Sequence, residues 1–159
     1  MTDRAATVVV ASTRSAAGER EDRTGPLIAA WLTDRGFTVT GPVVVPDGRE
    51  VGSAIRSAIR RRDAVILTTG GTGLTPTDRT PEQTRPELDR EIPGLADAIR
   101  NAGLPDVPTA VLSRGLAGIA GASLVVNLPG STGGVRDGLG VLDGVLDHAL
   151  DQIRGGDHG

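Results

Sequence analysis

Short unbroken apolar runs alternate with amphipathic stretches along most of this chain. Val8-Val9-Val10 sits inside a run from Thr7 to Ala11, whose continuity predicts a strand buried on both faces. The polar stretch from Ser12 to Glu21 reads as a loop. From Pro26 to Arg35, Leu27, Ile28, Trp31 and Leu32 fall on one helical face, and Gly36 supplies a stop. Phe37 to Val45 predicts a second strand, and Pro46-Asp47-Gly48 a turn. Val51, Ile55, Ala58 and Ile59 make the inner stripe of a helix from Val51 to Arg62. Ala64 to Thr68 predicts a third strand, which ends abruptly in the glycine-rich stretch Gly70-Gly71-Thr72-Gly73.

The second half is less regular. Thr80-Pro81-Glu82 has the form of a helix start, with threonine as cap and proline in the first turn. Pro86 interrupts the helical pattern between Thr80 and Asp89. Pro93 to Asn101 predicts a short helix with Leu95, Ala98 and Ile99 inward, and Gly103 to Pro108 a loop. Thr109 to Ser113 and Ser123 to Leu128 read as two more strands. Val135, Leu139, Leu142, Leu146, Leu150 and Ile153 recur at helical spacing and predict one long helix from Val135 to Ile153, with 154–159 a frayed tail. Strands alternating with helices imply an α/β fold of three layers, α/β/α, around a mostly parallel sheet. No repeat or linker divides the 159 residues, so a single domain spanning 1–159 is expected.

Composition narrows the chemistry. The balance of 38% hydrophobic and 23% charged residues is that of a soluble globular chain, and a net charge of -3 argues against nucleic acid held by bulk positive charge. No apolar run reaches membrane-spanning length and no secretory signal is visible, so a cytoplasmic location without membrane attachment is expected. Cysteine is absent, which removes thiolate nucleophiles and cysteine-ligated metals. Lysine is absent as well, which removes the GxxxxGK[ST] phosphate loop and Schiff-base catalysis. Arg60-Arg61-Arg62 reads as a solvated helix end, and His148 and His158 as a surface and a tail residue too weakly placed for a metal site.

Polar residues follow the strands in four loops: Ser12 to Gly25, the turn at Asp47, Gly70 to Asp78, and Asn127 to Gly134. In a parallel sheet such loops share the carboxyl edge, where open α/β sheets bind ligands. Taken singly each has a plain structural reading: a tight glycine turn, a turn aspartate, an aspartate supporting a helix start, a strand exit. Together they describe a phosphate-binding α/β domain.

The order and spacing of these pieces resemble the MogA/MoaB family of molybdenum-cofactor biosynthesis proteins, which includes the gephyrin G domain. The resemblance covers the whole chain. It rests on Ser12 followed by Asp22-Arg23-Thr24-Gly25, Pro46-Asp47, Leu67-Thr68-Thr69-Gly70-Gly71-Thr72-Gly73 with Asp78 and Thr80-Pro81-Glu82, Arg90-Glu91-Ile92-Pro93-Gly94, Thr109 to Arg114, and Asn127-Leu128-Pro129-Gly130-Ser131. It implies a molybdopterin adenylyltransferase that uses Mg-ATP and releases pyrophosphate. By the same resemblance Asp47 and Asp78 are the catalytic and Mg²⁺-related residues. Ser12, Thr69, Gly70, Gly71, Thr72, Gly73, Ser113, Asn127, Pro129, Gly130 and Ser131 line the nucleotide and pterin pocket. A homotrimer is implied, as is hand-over of product to a molybdopterin molybdotransferase. The family loop commonly continues with proline and lysine, whereas here Ser131 is followed by Thr132-Gly133-Gly134. Arg136, Arg114 or helix-start amides are the candidates to replace that lysine. The altered loop also keeps open a non-catalytic molybdopterin-binding or scaffolding protein of the same fold.

Overall fold

The apolar run near the start of the chain becomes β1 (Ala5–Ala11) in the computed structural model, which describes residues 4–156. It pairs in parallel with β2 (Thr38–Val45) on one side and with β3 (Val65–Thr69) on the other. Next to β3 lies β6 (Ser123–Leu128), also parallel, with Leu67 opposite Val126 and Thr69 opposite Leu128. Beyond β6 the sheet reverses once. β5 (Ala117–Ala120) runs antiparallel to β6, and the two-residue β4 (Arg90–Glu91) runs antiparallel to β5. The strand order is therefore β2-β1-β3-β6-β5-β4.

Strand alternation sends successive side chains to opposite faces, and both faces are covered. Val8, Val65, Leu67, Leu124 and Val126 face a core closed by α2 (Thr24–Asp34), α5 (Pro93–Asn101), α6 (Thr132–Asp143) and α7 (Leu146–Ile153). Val9, Ile66 and Val125 face Val51, Ile55 and Ala58 of α3 (Arg49–Arg60). This is the three-layer α/β/α arrangement the alternating pattern predicts. Two short helices, α1 (Thr13–Ala16) and α4 (Thr80–Thr84), follow strand exits at the carboxyl edge. Among the described residues, no helix is long and apolar enough to cross a membrane.

Several elements differ from their expected form. Thr109 to Ser113 is not a strand: Pro108–Leu112 forms a 3-10 turn whose Val111 and Leu112 are exposed. The strand lies instead at Ala117–Ala120, whose small residues and Gly118 carry little β propensity. Gly118 is needed there, because a Cβ would lie 2.5 Å from Arg90 O of the neighbouring β4. The long terminal helix is two helices. Gly144 and Val145 donate to the carbonyls of Val141 and Leu142, and this tightened turn ends α6 before α7 begins. The helix that starts at Thr80 ends at Thr84 and passes into a 3-10 turn over Arg85–Glu87, as Pro86 requires. Ser12 to Glu21 contains α1 rather than being loop throughout. His158 lies outside the described residues.

Candidate active site

Four strand exits meet at the carboxyl edge. The centre is the stretch after β3. Gly70 has φ +90°, and a Cβ there would fall on the carbonyl oxygen of Ala11 at the end of β1. This close approach packs the first and third exits directly together. Thr69 Oγ1 donates to Pro129 O (2.6 Å) and Gly70 N to Leu128 O (3.3 Å), so the exit of β6 is tied to the same turn.

The next glycines admit the two aspartates. Gly71 has φ +69°, and its missing Cβ would stand 2.6 Å from Asp47 Oδ2 and closer still to Thr80 Oγ1. At Gly73 the corresponding point lies 2.9 Å from Asp78 Oδ2. The stretch Gly71-Thr72-Gly73 is thus shaped by carboxylates as much as by any ligand. Asp47 is fixed from two further sides: its backbone N–H donates to Thr13 Oγ1 of α1 (3.2 Å), and its Oδ1 accepts from Arg79 N (3.0 Å). That second bond satisfies the start of α4 from outside the helix, a role the sequence assigns to Thr80. Thr80 stands instead in the first turn; its hydroxyl is buried, without a hydrogen-bond partner, beside Asp47.

Burial raises the Asp47 carboxyl above its usual range, the Arg79 amide opposes this, and the nearby charge of Asp78 adds to the rise. Among the described residues neither aspartate is in an ion pair. Two carboxylates therefore share one depression with neither held in an ion pair.

That depression has a volume of about 780 Å³ and a largely polar lining. Asp47, Asp78, Ser12, Thr69, Gly70, Gly71 and Gly130 all border it. So do Arg14 and Arg20 from α1 and the loop after it, and neither has an acidic partner among the described residues. A second, more apolar depression of about 480 Å³ lies on the other side of the glycine stretch. Thr72, Gly73, Ser113, Pro129 and Ser131 border this one, with Leu74 and Leu112 on its rim. The expected single pocket is thus two adjoining spaces separated by the glycine ridge.

Three expected residues have structural work of their own. Ser12 caps α1 by accepting from Ser15 N (3.1 Å), and Ser131 caps α6 by accepting from Gly134 N (3.0 Å). Asn127 borders neither space. It is 3% exposed; its Oδ1 accepts from Leu116 N, and its Nδ2 donates to Thr68 Oγ1 and Thr84 Oγ1. It locks β6, β3, α4 and the entry to β5 together. Arg114 does not face the polar depression as a spare cation; its guanidinium is occupied by Gly73 O, Asp78 O and Glu82. Arg136 is exposed on α6 and borders neither space. Arg100 and Leu74 carry no sequence motif, and the sequence reads Thr80 only as the cap of a helix start.

Known proteins share this chain's sequence pattern and its fold. Residues 7–148 match a family model described as "Probable molybdopterin binding domain". A "Molybdenum cofactor biosynthesis bifunctional protein" of Synechococcus elongatus is 43% identical over 155 residues, covering 97% of this chain. The match spans only 49% of that relative, so this chain corresponds to about half of it. A "Molybdopterin adenylyltransferase" of Pyrococcus furiosus is 37% identical, with 92% of this chain and 89% of that protein covered. The solved structure of a "Molybdopterin biosynthesis Mog protein" from Mycobacterium ulcerans superposes with a TM-score of 0.92 at 59% identity, covering 94% of this chain and 99% of that one.

Proposed function

The chain belongs to the molybdopterin-binding domain family of molybdenum-cofactor biosynthesis proteins, and from that membership we propose that it adenylates molybdopterin with ATP and releases pyrophosphate. The observation that carries this reading is the carboxylate pair, Asp47 and Asp78, held against the glycine ridge at the edge of one polar depression, with neither in an ion pair among the described residues.

In the reaction the terminal phosphate of molybdopterin attacks the α-phosphorus of ATP. A new P–O bond forms, the bond from the α-phosphorus to the bridging oxygen breaks, and pyrophosphate leaves. A phosphate monoester has a second pKa of about 6, so the nucleophile is largely dianionic at neutral pH and no general base is required. That fits a depression with no histidine among the described residues that line it. The task left to the protein is to bring two anions together and hold them in line.

The chain's residues suit that task. Asp47 and Asp78 would hold a magnesium ion, which prefers one or two carboxylates together with phosphate oxygens and water. Two carboxylates in no ion pair, one of them pushed up by burial, form a donor set that a dication would relieve. Among the described residues no cluster of three or more His, Cys, Asp or Glu is present, so an ion held by this pair would take its other oxygens from substrate phosphate and water. Bound there, the ion would neutralise charge on the triphosphate. Arg14 and Arg20 supply the positive charge for which this chain has no lysine. The polar depression receives the reacting phosphates, and the apolar one receives a flat heterocycle, pterin or adenine.

The same reading includes a homotrimer in the cytoplasm and hand-over of adenylated product to a molybdotransferase. The match to half of a bifunctional relative supports the hand-over, since a second activity stands beside this domain there. Pyrophosphate release measured with Mg-ATP, with and without molybdopterin, tests the central claim. Release is expected only when molybdopterin is present and is expected to vanish in Asp78→Ala, with the protein still folded. Wild-type turnover in that variant would sink the assignment. Binding of molybdopterin without turnover in the wild type would favour the scaffolding alternative.

A further inference from the structure

The stretch from Gly73 to Asp78 has little of its own to hold it. Leu74 is 64% exposed, residues 75–77 are exposed, and one turn bond, from Asp78 N to Thr75 O (2.8 Å), closes it. Such a stretch would normally move freely. Yet it ends on an aspartate that the reaction needs in one place.

Arg114 clasps both ends. Its Nε donates to Gly73 O (2.8 Å) and its Nη2 to Asp78 O (2.9 Å). Its Nη1 donates to Glu82 Oε2 (2.6 Å) on α4, and its backbone N–H donates to Thr72 O (2.8 Å). One planar group thus joins the start of the loop, its end and the helix beyond it. Lysine could not do this, because it presents a single nitrogen rather than a fixed fork. Arg114 is itself clamped. Arg100 Nη1 donates to the carbonyls of Ser113 (3.1 Å) and Gly115 (2.9 Å), the residues on either side. Arg100 and Ser113 border the apolar depression, whereas Asp78 borders the polar one. The hydrogen bond from Arg114 also pulls the Glu82 carboxyl below its usual range, which favours the charged carboxylate as its acceptor.

We propose that Arg114 is the positioning residue of this site: it touches no reacting atom, but fixes Asp78 and the glycine ridge in place through their backbone carbonyls. The proposal rests on the adenylation reading for its kinetic consequence and on the hydrogen bonds alone for its structural one. Each can fail separately.

The test uses Arg114→Lys and Arg114→Gln in the full chain, assayed well below their melting temperatures. Pyrophosphate release should fall 10- to 100-fold in kcat, with KM for ATP changed less than about three-fold, and lysine should not rescue. The Mg²⁺ concentration for half-maximal rate should rise in both variants. Hydrogen exchange should accelerate in peptides covering residues 73–79 and stay unchanged in β1 and β3. A merely structural arginine would lower the melting temperature and leave kcat and the Mg²⁺ requirement untouched; that result overturns the proposal. So does unchanged exchange over 73–79. If the wild type releases no pyrophosphate, the adenylation reading fails, and the exchange measurement still decides whether Arg114 holds the loop.

Discussion

Replacing Gly71 by alanine should damage catalysis more than folding, and the structure says by how much. The residue sits at φ +69°, where a side chain costs about 1–2 kcal/mol. The added methyl would also lie 2.6 Å from Asp47 Oδ2 and closer to the buried Thr80 hydroxyl, both inside normal contact. Forcing one extra carbon into a packed space costs roughly 1–3 kcal/mol. If the surroundings stay put, the total is about 2–5 kcal/mol, which for a domain of this size lowers the melting temperature by roughly 4–20 °C. If the surroundings yield, part of that loss is recovered by pushing Asp47 away from its place beside Asp78, and turnover bears the consequence. Thermal melting and pyrophosphate release, measured on the same preparation, separate the two routes. The expected outcome is a measurable drop in melting temperature with at least about a 100-fold loss of kcat, since a displacement near 1 Å can cost that much. Gly140→Ala is the control: it lies on an exposed face of α6 with nothing within 4 Å of the new Cβ, and should be neutral or stabilising by up to about 1 kcal/mol. A Gly71→Ala protein that melts and turns over like the wild type would refute the packing argument.

Asp47→Asn should lose activity yet gain stability at pH 7, because burial disfavours the charged form. The raised pKa means that Asp47 favours the folded state below its ordinary value of 3.8 and loses that contribution as pH rises through the folded value. The advantage of the asparagine variant should therefore be present at neutral pH and shrink to nothing below about pH 4, and a pH series of melting curves without that trend would contradict it. Asn127→Ala strands the Leu116 amide and should cost about 2–4 kcal/mol in urea unfolding, whereas a loss under about 0.5 kcal/mol would show that the network is dispensable. Arg14→Gln with Arg20→Gln should raise KM for ATP about ten-fold at low salt, with the difference narrowing at high salt; an unchanged KM would remove both from the phosphate site.

The parts of the fold legible in the sequence were those whose signal is local. Ser123–Leu128 and Pro93–Asn101 have the bounds their patterns predict, because an unbroken apolar run and a proline-led amphipathic turn each describe themselves. The carboxyl edge was legible for the same reason: Asp47 and Asp78 sit just beyond recognisable strand and glycine signals. What failed was non-local. Val111 and Leu112 look like strand residues but are exposed, and Leu112 rims an open depression. The stripe from Val135 to Ile153 keeps its period across the break at Gly144, so periodicity could not register the break. Asn127 reads as a ligand residue, yet its partners come from two other elements, β3 and α4, and from the residue that enters β5. The clasp by Arg114 was invisible for a simpler reason. Two of its side chain's three acceptors are backbone carbonyls, and a carbonyl leaves no mark on the identity of the residue that owns it.

The reversal of β5 has a consequence for how this family should vary. In a parallel sheet only residues that leave a strand reach the carboxyl edge. Because β5 runs the other way, residues 113–116 reach that edge by entering a strand, and Leu116 meets Asn127 there. The hairpin's other end, the turn at Gly121 between β5 and β6, lies at the opposite edge, away from both depressions. One hairpin thus has one end committed to chemistry and one end free to drift. Among relatives, insertions and changes of length should accumulate at 121–122 and be purged at 113–116.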